Sequence, residues 1–599
     1  MSQAPVIVSL GPRSAGLARR LRDLLAGSEV HAPACADCAA DQRFAKATDH
    51  VAALFAAGRP VVGLCASGIL IRAVAPLLGN KTREPAVVAV AEDGSAVVPL
   101  LGGHHGANAL ARIIAEALGV RAAVTTAGDN RFGLALDAPP AGWTLANPEH
   151  AKPFMARLLE GERVRLEVEA GDPTWLRSAD LPLSDDAGLA ILITAKRAVG
   201  GPTRLVFHPP VLALGVGAEA GAPASALRSL VEETLAEQDL AAASIACVVS
   251  IDLKSAEPAV HALAEDLSVP ARFFGADRLL EETDRLASRS EVVMRETGCW
   301  GVAEGAALAA VGASGYLLVP KRKGERVTCA VAMAAHDLDP AVIGRPQGRL
   351  AVVGLGPGDP RWRTEEVQRL LGEAEELVGY GLYLDLIGPA GAGKPRHEFP
   401  LGAEVERCRF ALARAAEGRA VALVCSGDPG IYALATLVFE LLENAPDPTW
   451  ARVAVTVSPG VSALQAAAAV AGAPLGHDFC AISLSDLLTP ADVIERRVRA
   501  AASGDFVVAF YNPVSARRRE LLGRARDLLL EHRPPATPVV LARNLGRPDQ
   551  TVRLVTLAEL SADLCDMLTL VLVGASNTRR APRLHGSDWV YTPRGYRVA

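Results

Sequence analysis

Aromatic side chains are scarce: they make up 4% of a 599-residue chain whose hydrophobic fraction is 50%. Cores must therefore be filled mostly by small and aliphatic side chains such as Ala and Val, which is an α/β profile spread over about four domains of ordinary size. Long apolar runs are missing as well. No stretch approaches the roughly 20 uninterrupted apolar residues that cross a bilayer, and the first residues lack a charged segment followed by an apolar one. The expectation is a cytoplasmic protein with no membrane partner. Charge of one sign is not in excess either. Lys and Arg number 61 against 67 Asp and Glu, a net charge of −6, which argues against nucleic acid as the main partner. Ten cysteines lie scattered, most of them inside apolar stretches, so they read as reduced core thiols and not as a disulfide framework. His31, Cys35 and Cys38 form one arrangement of metal-ligating types. A structural zinc site needs four ligands and only Cys65 is otherwise nearby in sequence, so no metal is expected.

What is present is glycine and proline at the ends of strands. Residues 350–360, LAVVGLGPGDP, run from an apolar strand into a turn with Gly354, Gly356 and Gly358, stiffened by Pro357 and Pro360. A dinucleotide loop would read G-x-G-x-x-G. Here Asp359 holds the place of the third glycine, where a carboxylate would meet a pyrophosphate, so the dinucleotide reading is weak. Residues 421–432, VALVCSGDPGIY, repeat the design, and residues 453–464, VAVTVSPGVSAL, repeat it again. Three strand ends with Gly/Pro turns in one domain point to a ligand held at the carboxyl edge of a parallel sheet.

From about residue 348 onward the chain resembles the tetrapyrrole methylases, and within them the precorrin-3B C(17)-methyltransferases of cobalamin biosynthesis and their cobalt-factor III counterparts. The carriers are the three turns, Gly379-Tyr380-Gly381 with Tyr383-Leu384, and the stretches 473–480 (APLGHDFC), 483–490 (SLSDLLTP), 493–497 (VIERR), 510–513 (FYNP), 543–548 (RNLGRP) and 592–596 (TPRGY). The resemblance implies a multidomain α/β protein with a C-terminal two-lobed class III (tetrapyrrole) methyltransferase, S-adenosyl-L-methionine as donor in a cleft between the lobes, and a polycarboxylate tetrapyrrole as acceptor. It places Gly427, Asp428, Tyr432, Ser462, Ala463, Phe510, Asn544 and Gly546 around the donor, and turns the first loop, with Gly356, Gly358 and Asp359, toward the tetrapyrrole. The family reaction also contracts the ring. That step needs a proton to move, for which His477 or Asp478 is the candidate, although a lone His beside Gly476 also reads as a structural hydrogen-bond partner. Pairing into a homodimer through this half, and other corrin-pathway enzymes as partners, follow from the same resemblance.

Residues 1–335 resemble the cobalt-precorrin-5A hydrolases of the same pathway, on residues 81–88 (KTREPAVV), 97–108 (VVPLLGGHHGAN), Thr125-Thr126, 250–254 (SIDLK), 272–274 (RFF) and 319–323 (VPKRK). One departure stands out: Gly215-Val216-Gly217 is followed by Ala218-Glu219-Ala220-Gly221, without the Cys and Arg usual in that turn. His104 and His105 sit in a Gly-Gly-His-His-Gly turn between a strand and a helix. A neutral imidazole there can activate water to open a lactone, and the following helix start can stabilise developing negative charge. In the competing reading one His caps the helix at Ala107 and the other is surface.

A polyanionic acceptor calls for arginine forks. Arg361, Arg363, Arg517, Arg518, Arg519, Arg543 and Arg547 all flank the proposed ligand turns, with Arg361 and Arg543 expected to contact the substrate. Punctuation divides the chain into an α/β domain over 1–150, a small strand-rich linking domain over 151–207, a second α/β domain over 208–335, a linker over 336–348, and the methyltransferase over 349–599 with lobes at about 349–457 and 458–599. Thr489 and Asp492 are expected to cap or open a helix through Ile494 and Val498, with Pro490 suited to its first turn.

Overall fold

Strands buried on both faces read as unbroken apolar runs because helices cover both sides of a parallel sheet. The computed structural model describes residues 4–25, 27–35, 40–79, 84–103, 106–125, 131–444, 447–515, 519–584 and 588–596. Its contacts divide the chain into two units, Met1–Gln347 and Gly348–Ala599. Among the described residues no helix is long and apolar enough to cross a membrane.

Among its described residues the first unit holds three sheets. The first has the order Gln42–Phe44, Glu29–Pro33, Val6–Ser9, Val61–Leu64, Val87–Val90, Val97–Leu101, all parallel except the last strand. Ile7, Val62 and Val88 face the helices Ala15–Leu24 and Ala107–Leu118, whereas Val6, Val61 and Val87 face Ala47–Ala56 and Ser67–Val74. His31 is buried in this sheet, its ring nitrogens 2.8 Å from His50 Nε2 and 2.9 Å from Glu29 Oε2. Cys38 lies outside the described residues, and among those described no cluster of three metal-ligating groups forms.

The second sheet orders Thr144–Leu145, Arg204–His208, Leu189–Ile193 and Val164–Val168. Its core also takes Phe132, Leu134, Leu136 and Trp143, and the helix Ala151–Leu159 through Ala151, Phe154 and Leu158. Residues upstream of 151 thus pack into this core, and the stretch from 151 starts with a helix, because apolar residues spaced by three and four make a helical stripe that a strand reading overlooks.

The third sheet orders Ala271–Phe274, Ile245–Ile251, Leu212–Ala218, Val327–Met333 and Tyr316–Lys323. Helix Val302–Val311 lies against it so closely that a Cβ on Gly215 would stand 1.9 Å from the Ala303 carbonyl oxygen. The stretch 336–348, expected as a linker, is packed at several points. Arg345 and Phe273 exchange backbone hydrogen bonds of 2.8 Å, Ile343 sits in the core, and Asp337 accepts from Trp143 Nε1 at 2.6 Å. Asp and Pro punctuation marks a break in regular structure, which is not the same as a break in packing.

The second unit carries an all-parallel sheet, Arg396–Glu398, Glu376–Gly379, Ala420–Cys425, Arg349–Gly354, Ala454–Ser458, and a mixed sheet, Phe479–Ser483, Val507–Tyr511, Thr569–Val573, Pro538–Arg543, Thr551–Thr556. Three short strands, Gly472–Ala473, Trp589–Tyr591 and Arg579–Ala581, complete it. The helix after the 483–490 stretch spans Ala491–Ser503 with Pro490 itself at the N-cap and no side-chain cap bond, so neither Thr489 nor Asp492 caps it, while Asp492 stands in its opening turn.

Candidate functional site

The strands Ala420–Cys425, Arg349–Gly354 and Ala454–Ser458 are neighbours in that order, so their three Gly/Pro turns meet at one edge of the sheet. They meet backbone to backbone. Gly356 and Gly427 exchange hydrogen bonds of 3.2 and 2.7 Å. A Cβ on Gly354 would come 2.5 Å from the Gly427 carbonyl oxygen, and one on Gly460 would come 2.1 Å from the same oxygen. Asp428 ties the second turn to the third, accepting from Gly430 N at 2.8 Å and from Gly460 N at 3.2 Å. Ser462 then closes a capping box with Gln465 and starts the helix Ala463–Ala471.

In front of these turns lies a cleft of ≈ 310 Å3. The parallel-sheet lobe contributes Pro357, Tyr383, Glu404, Arg407, the 424–428 turn and residues 431–434; the mixed-sheet lobe contributes Tyr511, Asn512, Asn544, Leu545, Arg547 and residues 567–570. Strain gathers here. Tyr432, Asn512 and Asn544 have φ of 52°, 50° and 49°, a region that side-chain-bearing residues occupy at a cost and that recurs at ligand sites. Tyr432 spans the lobes, its hydroxyl donating to the Ala481 carbonyl at 3.0 Å and its ring 5.2 Å from that of Tyr511. Burial raises the phenol pKa of Tyr383, Tyr432 and Tyr511, so all three are neutral hydroxyls at ordinary pH. It also pushes the Cys425 thiol up to about 11, which removes it as a nucleophile. Asn544 donates to Asp549 at 2.5 Å, while its buried Oδ1 has no hydrogen-bond partner.

Of the residues expected around the donor, Gly427, Asp428, Tyr432, Ser462, Ala463 and Asn544 line this cleft. Phe510 does not. It is fully buried in the core behind the sheet, and strand alternation brings Tyr511 to the cleft face in its place. Gly546 sits against the first turn and not in the cleft: a Cβ there would be 2.8 Å from Asp359 N, and one on Gly358 would be 3.0 Å from Gly546 O.

The residues expected to face the acceptor are engaged with each other. Asp359 caps the short helix Pro360–Trp362 and pairs with Arg361 at 2.6 Å, and Arg543 is held by Asp566 at 2.6 Å and Asp549 at 3.3 Å. Gly356 is spent on its bridge to Gly427. His477 and Asp478 stand apart from the cleft, with the His477 ring accepting from Asp478 N at 2.8 Å, the local role that a His beside Gly476 allows. His104, His105, Arg517 and Arg518 lie outside the described residues. Around the two histidines, strand Val97–Leu101 ends and helix Ala107–Leu118 begins, with Gly102 at φ +74° and its would-be Cβ 2.4 Å from the Pro85 carbonyl oxygen.

Comparison with known proteins fits this arrangement. A model of the tetrapyrrole (corrin/porphyrin) methylases matches residues 349–561. The precorrin-3B C(17)-methyltransferase of a Sinorhizobium species is 44% identical over 249 residues, 42% of this chain and 97% of that protein. The chain belongs to the tetrapyrrole methylases. Ahead of its methylase unit, models of the cobalamin synthesis G N-terminal and C-terminal segments match residues 49–129 and 212–332, so two kinds of cobalamin-synthesis sequence are fused in one polypeptide. The cobalamin biosynthesis protein CobIJ of Mycobacterium bovis is 47% identical over 253 residues, 42% of this chain; the match spans 48% of that protein, about half its length. The solved methyltransferase CobJ is 44% identical, with 41% of this chain and 100% of that one covered at a TM-score of 0.39.

Several cleft residues of the methylase unit were not foreseen. Arg407 is one, and a signal for it exists. In helix Glu404–Ala416 the buried stripe reads Arg407, Cys408, Ala411, Leu412, Ala415, so a cation occupies an apolar face. Glu404, Met567 and Leu568 carry no comparable signal.

Proposed function

We propose that the methylase unit transfers a methyl group from S-adenosylmethionine to ring carbon 17 of precorrin-3B or cobalt-factor III, with ring contraction to the precorrin-4 level. The N-terminal unit would open the lactone of cobalt-precorrin-5A. The observation that carries the first part is the edge where three interlocked glycine turns meet one cleft that is also lined by Asn544, whose buried Oδ1 lacks a partner. The residues present fit the donor. Backbone without Cβ allows close approach, and a buried acceptor lacking a partner suits an N–H of the ligand. When bound, the donor supplies a methyl group on a positively charged sulfur. The protein needs no general base for that displacement; its part is to position both reactants and exclude water. Tyr432 and Tyr511 offer neutral aromatic faces beside a cation.

The relatives' printed names support the acceptor. Pairing of two chains through the methylase unit, in the cytoplasm, goes with this reading. A methyltransferase whose N-terminal unit only binds tetrapyrrole is the second reading. It is favoured by the Glu219–Gly221 turn, which is tied down by its own neighbours: Arg326 holds Glu219 at 3.1 Å and Glu257 accepts from Gly221 N at 3.2 Å.

The test is label transfer by the full chain from methyl-labelled donor to precorrin-3B and to cobalt-factor III, read by mass spectrometry. Label on either acceptor is expected; label on neither, with donor binding intact, refutes the acceptor. In parallel, lactone opening of cobalt-precorrin-5A should be lost in His104→Ala/His105→Ala. Opening that survives both changes takes the hydrolase role away from that turn.

A further inference from the structure

Several of the arginines that sequence placed at the cleft are satisfied by the protein itself, while Arg547 lines the cleft half-buried with one described side-chain bond, from Nε to the Pro357 carbonyl at 3.3 Å. Arg361 and Arg543 pair with carboxylates, and Arg363 donates to the carbonyls of Leu386 and Ile387 and to Gln368. Arg407 differs. It lines the cleft at 2% exposure and makes one described hydrogen bond, from Nη2 to the Pro400 carbonyl at 2.9 Å; its buried Nε lacks a partner, as do those of Arg363 and Arg533, so the cleft position and the single bond set it apart from those two. Among the described residues no carboxylate lies within ion-pair distance of it. Glu404, one turn earlier on the same helix, instead accepts from Gly402 N at 3.1 Å. A buried guanidinium without a counter-charge is costly, and the cost is removed when an anion with matching fork geometry arrives. Arg533, buried elsewhere in the unit, also has an unpartnered Nε, but its Nη atoms donate to three carbonyls, those of Gly574, Ala501 and Phe506.

We propose that Arg407 is the carboxylate-binding residue of this cleft. The inference rests on the methyltransferase reading and deepens it by naming the group that the cleft's buried cation receives. A carboxylate can come from the amino-acid end of the donor or from the rim of the acceptor, and both present the same two-oxygen fork to a guanidinium.

The experiment uses the full chain, Arg407→Met and Arg407→Lys. Binding of S-adenosylhomocysteine and of 5′-methylthioadenosine, which lacks the amino-acid end, is titrated, and KM for the tetrapyrrole is measured. If the donor carboxylate is the ligand, Arg407→Met weakens S-adenosylhomocysteine about tenfold or more and leaves 5′-methylthioadenosine unchanged. If the acceptor carboxylate is the ligand, both nucleoside affinities hold and KM rises by a similar factor with kcat little changed. Arg407→Lys keeps the charge and loses the fork, so it falls between parent and Met variant. Unchanged binding and KM in a folded variant overturn the proposal, as does equal weakening of both nucleosides, which would mean general damage to the cleft. If the parent chain binds neither nucleoside, the methyltransferase reading itself fails; if the parent binds and the variants match it, only the role of Arg407 fails.

Discussion

Gly460→Ala is expected to weaken S-adenosylhomocysteine binding by about a hundredfold and to lower the unfolding midpoint of the methylase unit. The added Cβ would stand 2.1 Å from the Gly427 carbonyl oxygen, 2.6 Å from that of Gly354 and 2.8 Å from the Gly354 carbonyl carbon. Every one of these neighbours is backbone. No rotamer can relieve the clash, so the three turns must part, at about 3 kcal/mol, the upper end of ordinary overpacking costs. The control is Gly523→Ala. Gly523 lies inside helix Glu520–Leu530 with nothing within 4 Å of its would-be Cβ, and alanine there should stabilise by up to about 1 kcal/mol. Calorimetric titration and thermal unfolding on the full chain measure both. Binding within twofold of the parent in Gly460→Ala would mean that the interlocked turns do not hold the donor.

Asp428→Ala is expected to cost donor affinity about thirtyfold. The half-buried carboxylate accepts from Gly430 N and Gly460 N, and removing it leaves two turn N–H groups without their charged acceptor. Hydrogen bonds to charged groups contribute about 1.5–3 kcal/mol each, and water reaching the half-open site offsets part of the loss. Asp428→Asn separates two ways in which the group can act. If Asp428 works by tying the turns together, the amide oxygen retains one bond and affinity lies between parent and alanine variant. If the negative charge itself is what the ligand feels, asparagine is as damaging as alanine. The turn-tying geometry predicts the intermediate value in the same titration.

How far the sequence could be read follows from what each residue depends on. The three Gly/Pro turns were legible because glycine and proline declare backbone conformation locally. Their mutual contact was not, since it needs Ala420–Cys425, Arg349–Gly354 and Ala454–Ser458 to be sheet neighbours despite long separations in sequence. Phe510 and Tyr511 show a one-residue limit: the motif was found, and only the strand's alternation decides which of the two faces the ligand. Arg361 and Arg543 lie beside ligand turns in the sequence, but their partners Asp359 and Asp566 claim them in the fold. Arg407 carried a signal, a cation on an apolar helix stripe, but that stripe does not say that the helix's first turn ends in a cleft. In the first unit, packing of residues 132–145 and 337–345 against distant strands overrode the proline and glycine signals that had marked boundaries there.

The central claim is that the donor lies in the cleft between the three glycine turns and Asn544. A crystal structure of the full chain with S-adenosylhomocysteine tests it most directly. The account predicts ligand density against Gly427, Asp428, Ser462 and Ala463, with a ligand N–H within hydrogen-bond distance of Asn544 Oδ1. Density elsewhere in the methylase unit, with that cleft filled by side chains or solvent, would contradict it.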